Sequence, residues 1–190
     1  MLAVLRRLTM ATWLIWFGAY WGVGTRSFIT HAGHSSQLDR ISMLVMAVGA
    51  LGLFGSMVLV LLSIVALPQN EGVVVLGNGL ACVGAMGSFC CRHVLGRFWS
   101  APTTLQENHA IIDQGPYGVV RHPIYTATLV FYLGTTLAFS AWWTWALWTL
   151  LLVGYVLKAL DEERFLGAHL TPAYEDYRRR VPYRLLPGVW

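Results

Sequence analysis

The residues best suited to chemistry form two polar clusters on either side of one long apolar stretch. The first cluster is a turn-rich segment, residues 115–125, that contains Arg121. The second contains the adjacent carboxylates Glu162 and Glu163. Residues 124–157 between the clusters hold no charged side chain. If this stretch crosses a bilayer and returns as a helical hairpin, both clusters emerge on the same side and build one site.

Each cluster has a physical property that bears on ligands. Arg121 and His122 precede Pro123, which is tolerated in the first turn of a helix, so both lie near free backbone N–H groups that suit anions. The paired carboxylates fall at the C-terminal end of the hairpin, where the helix dipole disfavours negative charge. A compensating cation is therefore expected there, either Arg121, Lys158 or a cationic ligand. The alternative is that these charges mark the membrane interface and bind lipid headgroups.

Composition indicates an integral membrane protein. The chain has 190 residues, of which 56% are hydrophobic and 12% charged, whereas soluble domains carry about 25% charged residues. Several uncharged runs approach or exceed the roughly 20 residues that a helix needs to cross a bilayer. The formal net charge of +4 favours anionic lipid surfaces over nucleic acid. We expect a single membrane domain, with N-terminal transmembrane helices in residues 1–91 and both polar clusters in residues 92–190.

The apolar runs predict an all-α, polytopic membrane protein with about five transmembrane helices, because barrel strands would alternate polar and apolar residues. The predicted segments are residues 8–25, 41–67, 73–91, 123–139 and 141–157, the last two forming a C-terminal hairpin. The first segment is interpreted as a retained helix, not a signal peptide, since bulky aromatic residues run to its end. Whether it spans the bilayer or lies in the interface is left open, because Arg6 and Arg7 conflict with the positive-inside rule.

Smaller features concern packing and the membrane boundary. Gly49, Gly52 and Gly55 recur at a spacing of three, which predicts close approach of another helix. The tryptophans within residues 142–148 are expected to mark the far membrane interface. The cysteines lie in or beside an apolar run and are interpreted as packing residues, not as a disulfide framework.

Arginine placement predicts the orientation of the chain. Arginines occur along the connector, residues 92–121, and after the last span, at residues 178–184, which places both on the cytoplasmic side. Thr171 is predicted to cap a short amphipathic surface helix over residues 174–180. The two histidines within residues 31–34 lack a neighbouring carboxylate or thiol cluster, so no metal site is predicted.

Four short segments carry a resemblance to a known family. In chain order they are Leu95-Gly96-Arg97-Phe98-Trp99-Ser100, His109-Ala110-Ile111-Ile112-Asp113-Gln114-Gly115-Pro116-Tyr117, Arg121-His122-Pro123-Ile124-Tyr125 and Glu162-Glu163. Each motif is weak alone, but the ordered set resembles the isoprenylcysteine carboxyl methyltransferase family, whose wider group includes phospholipid N-methyltransferases. The resemblance covers residues 95–187, roughly half of the chain.

The resemblance implies S-adenosylmethionine as methyl donor and a cytoplasmic cofactor pocket in the C-terminal half. It implies cofactor-binding roles for His109, Ile112, Gly115, Tyr117, Arg121, His122, Pro123, Tyr125, Glu162 and Glu163. Arg121 and Glu163 are the expected catalytic residues, and no metal is implied. The expected acceptor is lipophilic: a prenylated cysteine carboxylate, a phospholipid amine, or a small hydrophobic acid, thiol or amine.

The two glutamates are expected to differ in role, because adjacent residues on a helix point about 100° apart. Lys158 lies four residues before Glu162, a spacing that predicts an ion pair along the helix. Glu163 is then the residue expected to contact the cofactor. Lys158 also departs from the family pattern, which often has arginine at this position.

Two other functions are kept as alternatives. Residues 181–187 are similar to the C-terminus of membrane sterol reductases, which use NADPH. The paired glutamates and the segment around Arg121 favour the methyltransferase instead. A non-catalytic lipid-binding protein is the remaining interpretation. A transporter is disfavoured, because no ionisable residue lies in the middle of a predicted span.

Overall fold

The protein is described by a computed structural model over residues 1–22, 36–62, 64, 70–99 and 110–190. Within these residues the α-helices are α1 (Leu2–Gly22), α2 (Gln37–Leu61), α3 (Glu71–Leu95), α4 (Pro123–Phe139), α5 (Trp142–His169) and α6 (Ala173–Arg180). Short 3-10 turns at Gly96–Phe98 and Gly115–Gly118 lie on the long connection between α3 and α4. The predicted all-α class is confirmed.

Three of the described helices, α2, α3 and α5, are long and apolar enough to cross a bilayer. Helix α4 is apolar but has only 17 residues. Helix α1 has 21 residues, but it is not among the described helices that meet the criteria of length and apolarity for a membrane span. The chain is an integral membrane protein, and the predicted number of about five transmembrane helices stays a prediction.

Helix ends differ from the predicted segments where capping side chains set them. Helix α2 begins earlier than predicted because the Ser36 hydroxyl accepts a hydrogen bond from the Asp39 backbone N–H at 2.8 Å. Helix α3 also begins early, since the Asn70 side chain caps its first turn. The predicted cap of α6 is wrong by one residue. Pro172 occupies that position, and the Thr171 hydroxyl donates back to α5 instead.

Helix α5 continues well beyond its predicted end at residue 157 and stops at His169. Residues 158–169 are mostly good helix formers, so the helix extends past the apolar run into polar sequence. Glu162 and Glu163 therefore lie inside the helix and not at its C-terminus. The unfavourable interaction of this acidic pair with the helix dipole is therefore smaller than expected, since that interaction is confined to the last turn of a helix.

Small residues let α3 and α4 pack backbone against backbone. A Cβ added at Gly77 would lie 2.5 Å from the Ala138 nitrogen. One added at Gly84 would overlap the backbone of Phe131, and Gly134 of α4 is opposed by α3 in the same way. This contact places the start of α4 beside the end of α3, where the first polar cluster lies.

Helices α2 and α5 form a second close pair. Gly49 and Gly52 receive the side chains of Leu151 and Leu147, with a Cβ at Gly49 falling 2.7 Å from Leu151 Cγ. Close packing predicted from the glycine spacing is confirmed at these two positions. Gly55 has no neighbour within 4 Å of an added Cβ. The pair holds the second polar cluster, on α5, against the N-terminal end of α2.

Helix α1 packs into the bundle through two buried tryptophans. The indole N–H of Trp13 donates to the Thr135 hydroxyl at 2.9 Å, and that of Trp16 donates to the Ser88 hydroxyl at 2.7 Å. Both tryptophan side chains belong to the main hydrophobic core. Helix α1 is thus a member of the bundle, packed against α3 and α4.

The bundle has two different ends. At one end, Arg6 of α1 donates from Nε to the Ala138 carbonyl at 3.3 Å, near the turn between α4 and α5. Trp142 and Trp145 are exposed at this turn, by 80% and 44%, as expected for tryptophans at a membrane interface. At the opposite end, α3 finishes, α4 begins, and the last turns of α5 meet α6.

Candidate active site

A cavity lies at the end where α3, α4, α5 and α6 meet, with about 860 Å³ of empty space when open solvent at its mouth is included. Much of its wall is aromatic, with contributions from Phe98, Trp99, Tyr117, Tyr125, Tyr174 and Tyr177. Polar side chains interrupt this wall at Arg121, His122, Lys158 and Glu162. A largely apolar concavity with a few converging polar groups is the usual form of a small-molecule site.

The loop that leads into α4 has a local geometry that its sequence requires. Gly115 has a φ of +57°, a value that glycine adopts without strain. Pro123 is the first residue of α4, where its missing N–H is not needed. The Tyr117 carbonyl accepts a hydrogen bond from the Tyr177 hydroxyl at 2.8 Å, which fastens the loop to α6.

Arg121 is held on every side of its guanidinium group. Its Nε and Nη2 atoms each lie 2.8 Å from Oε1 of Glu163. Its Nη1 donates to the carbonyls of Val181 and Pro182 at 2.8 and 2.7 Å. Its backbone N–H donates to the Tyr183 carbonyl at 2.9 Å. The segment after α6 therefore fixes this arginine as firmly as α5 does.

Glu163 is the buried centre of the charge cluster. Its side chain is 6% exposed, and Oε2 accepts a hydrogen bond from Nε of Arg184 at 3.0 Å. Nε2 of His122 lies 3.3 Å from Oε1, the oxygen that also binds Arg121. A buried carboxylate needs such partners to offset its desolvation. Glu163 lies behind the cavity wall and locks the two arginines in place.

Glu162 faces the cavity instead. Its side chain is 28% exposed, and Oε2 accepts a hydrogen bond from the Tyr125 hydroxyl at 2.6 Å. Nδ1 of His122 lies 3.7 Å from the same oxygen, and the His122 ring stacks parallel to that of Tyr125 with centroids 5.2 Å apart. His122 thus lies between the two carboxylates. A carboxylate open to a cavity with aromatic walls suits a ligand that carries positive charge and hydrogen-bond donors.

The structure brings most of the expected site residues together. Six of them line the cavity: Ile112, Tyr117, Arg121, His122, Tyr125 and Glu162. Gly115 opens the 3-10 turn ahead of them, and Pro123 is the buried first residue of α4. Glu163 holds Arg121 from behind. His109 lies outside the described residues. Their roles in binding a cofactor stay predictions.

Lys158 is paired differently from the expectation. Its ammonium group contacts the carboxylate of Asp39 on α2, with both side chains buried. Of the two glutamates, Glu163 binds both arginines and Glu162 faces the cavity, so the expected ion pair between Lys158 and Glu162 is wrong. Which glutamate contacts a cofactor stays a prediction. The i,i+4 rule describes exposed helix surfaces, whereas Lys158 lies in a helix interface where α2 supplies a carboxylate.

Two charged residues around the site were not expected from the sequence. Asp39 holds Lys158, and Arg184 holds Glu163. A sequence signal existed for each: Asp39 is an acid at the start of an apolar run, and Arg184 lies in the polar tail after the last span. The sequence does not show with which charged side chain each of these residues pairs.

A bundle of apolar helices with a polar-lined cavity at one end defines an integral membrane protein with a candidate small-molecule site. The profile of a family described as phospholipid methyltransferase matches residues 73–172, which is more than half of the chain. The chain therefore belongs to the phospholipid methyltransferase family. The match begins in α3 and ends just before α6, so it includes both polar clusters.

Two curated relatives resemble the same part of the chain. Protein-S-isoprenylcysteine O-methyltransferase of Schizosaccharomyces pombe is 30% identical over 107 residues, which are 55% of this chain and 45% of the relative. Cobalt-zinc-cadmium resistance protein CzcN of Cupriavidus metallidurans is 32% identical over 112 residues, which are 56% of this chain and 44% of the relative. The similarity thus spans less than half the length of each relative.

Proposed function

We propose that this protein is a membrane methyltransferase that uses S-adenosylmethionine to methylate a lipophilic acceptor. The observation that carries the proposal is Glu162, a carboxylate that opens into an aromatic-walled cavity beside Tyr125 and His122. Family membership and the similarity to an isoprenylcysteine O-methyltransferase support the same reaction class. The proposed cofactor carries a cationic sulfonium, an ammonium group and ribose hydroxyls, all of which suit this surface.

When bound, adenosylmethionine would supply an electrophilic methyl group on a positively charged sulfur, which is a good leaving group because it keeps the electron pair of the carbon–sulfur bond. The side chains of the protein have the task of binding the cofactor and orienting it toward the acceptor. Glu162 would bind a donor group of the cofactor, and the aromatic side chains of the cavity wall would border its positive charge. Arg121 and Glu163, expected to be catalytic, act here as a positioning pair that fixes the loop. Positioning and exclusion of water are the sources of acceleration, and no nucleophilic side chain is needed.

The acceptor is proposed to reach the cavity from the membrane. Candidates are a prenylated cysteine carboxylate, a phospholipid amine, or a small hydrophobic acid, thiol or amine. The cavity lies at one end of a helical bundle, so a lipid can approach it sideways while a water-soluble cofactor approaches from the aqueous side. The basic last turn of α6 at this end supports a cytoplasmic orientation for it.

Orientation has a direct test that uses the two ends of the bundle. Arg179 is 76% exposed in its side chain at the cavity end, and Trp142 is exposed at the opposite end. In a cysteine-free background, Arg179→Cys in sealed inside-out vesicles should react with a membrane-impermeant maleimide and Trp142→Cys should not. Labelling of only Trp142→Cys contradicts the cytoplasmic orientation.

Cofactor binding is tested with the purified protein in detergent. Saturating adenosylhomocysteine should raise the melting temperature, because a ligand that binds only the folded state stabilises it. NADPH is the matched comparison, since the C-terminal segment also resembles sterol reductases. A rise in melting temperature with NADPH and none with adenosylhomocysteine would favour the reductase over the methyltransferase. Transfer of labelled methyl groups from adenosylmethionine to prenylcysteine or phospholipid acceptors then identifies the acceptor class.

A further inference from the structure

The hydroxyl group of Tyr174 is a buried polar group without a hydrogen-bond partner among the described residues. The residue is 1% exposed and its side chain lines the cavity. A buried hydroxyl without a hydrogen-bond partner destabilises the folded protein, because its lost hydrogen bonds to water are not replaced. Such a group at a cavity wall points to a ligand that supplies the missing partner.

Tyr177, one turn further along α6, shows the contrast. It is also buried and lines the same cavity, but its hydroxyl donates to the Tyr117 carbonyl at 2.8 Å. The two rings lie 6.1 Å apart in one small hydrophobic cluster. Tyr177 is therefore satisfied within the protein. Tyr174, in almost the same surroundings, is not.

The surroundings of Tyr174 are charged as well as apolar. Burial raises the pKa of Tyr174 most, and the nearby carboxylates of Glu163 and Glu162 raise it further, against a smaller lowering by Arg121 and Arg178. The phenol therefore keeps its proton across the physiological range and is available as a hydrogen-bond donor. Glu163 is occupied by Arg121 and Arg184. Glu162 opens into the cavity and accepts hydrogen bonds there.

We propose that the Tyr174 hydroxyl donates a hydrogen bond to a ribose hydroxyl of the bound nucleoside, whose own proton is donated to Glu162. This inference rests on the proposed use of adenosylmethionine. An ammonium group has donors only and offers nothing for Tyr174 to bind. A ligand carboxylate accepts hydrogen bonds but is repelled by Glu162. A hydroxyl donates and accepts through one atom, which matches a phenol and a carboxylate that line the same cavity.

The test compares the parent protein with Tyr174→Phe, which removes one oxygen atom and keeps the ring. Adenosylhomocysteine and its 2′-deoxy and 3′-deoxy analogues are titrated into both proteins by calorimetry. The variant should bind adenosylhomocysteine roughly two- to tenfold more weakly, as expected for one neutral hydrogen bond. For the analogue that lacks the accepting hydroxyl, the variant and the parent should have equal affinities. Without ligand, the variant should melt at the same temperature as the parent or higher, because it loses no hydrogen bond.

Tyr177→Phe is the matched control. It removes the bond to the Tyr117 carbonyl, so it should lower the melting temperature while keeping the parent's ratio of affinities for adenosylhomocysteine and the deoxy analogues. Equal affinity of Tyr174→Phe and parent for adenosylhomocysteine overturns the inference. An equal loss with all three ligands also overturns it, because the partner is then another atom. If the parent does not bind adenosylhomocysteine, the proposed function is overturned together with the inference. This result differs from the outcomes above, in which the parent binds the ligand and only the inference fails.

Discussion

The adjacent glutamates on α5 should respond to the same substitution in opposite ways. Glu163 is 6% exposed in its side chain and binds Arg121 and Arg184. Glu162 is 28% exposed and faces the cavity, with Tyr125 as its hydrogen-bond donor. Replacing either by glutamine preserves size and removes one negative charge. The difference in outcome then reports the role of each carboxylate.

Glu163→Gln leaves two guanidinium groups without their counter-charge. The Arg121 pair is fully buried, with side chains 4% and 6% exposed, and breaking a buried pair by removing one partner costs about 3–5 kcal/mol. The Arg184 side chain is 24% exposed, so water offsets part of its loss. We therefore expect a strongly destabilised protein, measured by equilibrium unfolding in detergent.

Glu162→Gln should leave the fold almost unchanged, since the amide oxygen still accepts from the Tyr125 hydroxyl. Its effect should appear in ligand binding. Losing a charge-assisted hydrogen bond costs roughly 1.5–3 kcal/mol, or about ten- to a hundredfold in affinity. Calorimetric titration of adenosylhomocysteine measures this directly. The expected result is a stable protein with weak binding.

Glu175→Gln provides a matched control, because this glutamate also pairs with an arginine but its side chain is 45% exposed. An exposed pair of this kind contributes about 0.3–0.5 kcal/mol, so the variant should resemble the parent in both measurements. A Glu163→Gln protein as stable as Glu175→Gln would refute the buried-network argument. Unchanged affinity in Glu162→Gln would refute its assignment as the ligand-facing carboxylate.

Three further outcomes follow from the packing. Asp39→Asn should lower the free energy of unfolding by about 3–5 kcal/mol, because it removes one partner of a buried ion pair with Lys158; a change below 1 kcal/mol in equilibrium unfolding contradicts this. Gly84→Ala should separate α3 from α4 and lower the melting temperature, whereas Gly79→Ala, with no neighbour within 4 Å, should be neutral or stabilising. Arg184→Ala should cost about 1.5–3 kcal/mol in the same unfolding measurement, as for one charged hydrogen bond.

The sequence predicted the helical class and the meeting of the two clusters because both depend on local properties. An uncharged stretch of hairpin length must return its ends to the same side, so Arg121 and Glu163 had to approach each other. The spacing of Gly49 and Gly52 likewise predicted a close helix contact without knowledge of the partner helix. These inferences needed only composition and periodicity.

The choice of charge partners could not be predicted in the same way. Lys158 has a carboxylate one turn away along α5, but the packing of α2 brings Asp39 to it inside the bundle. Which helix covers which face is set by the summed packing of many side chains, and no short motif encodes it. The predicted pairing of Lys158 with Glu162 is wrong for this reason, since the rule for exposed helices was applied to a buried position.

The site is completed by residues outside the segment that the family profile matches. Residues 73–172 supply Arg121 and Glu163, yet Nη1 of Arg121 is satisfied by the carbonyls of Val181 and Pro182. Without those carbonyls, a buried guanidinium would keep unpaired donors at a cost of roughly 1–3 kcal/mol or more. The same tail supplies Arg184, which neutralises the second oxygen of Glu163. The segment after α6 therefore supports the candidate active site from behind its wall, and its hydrogen bonds to Arg121 fix where the loop before α4 presents its ligand-facing side chains.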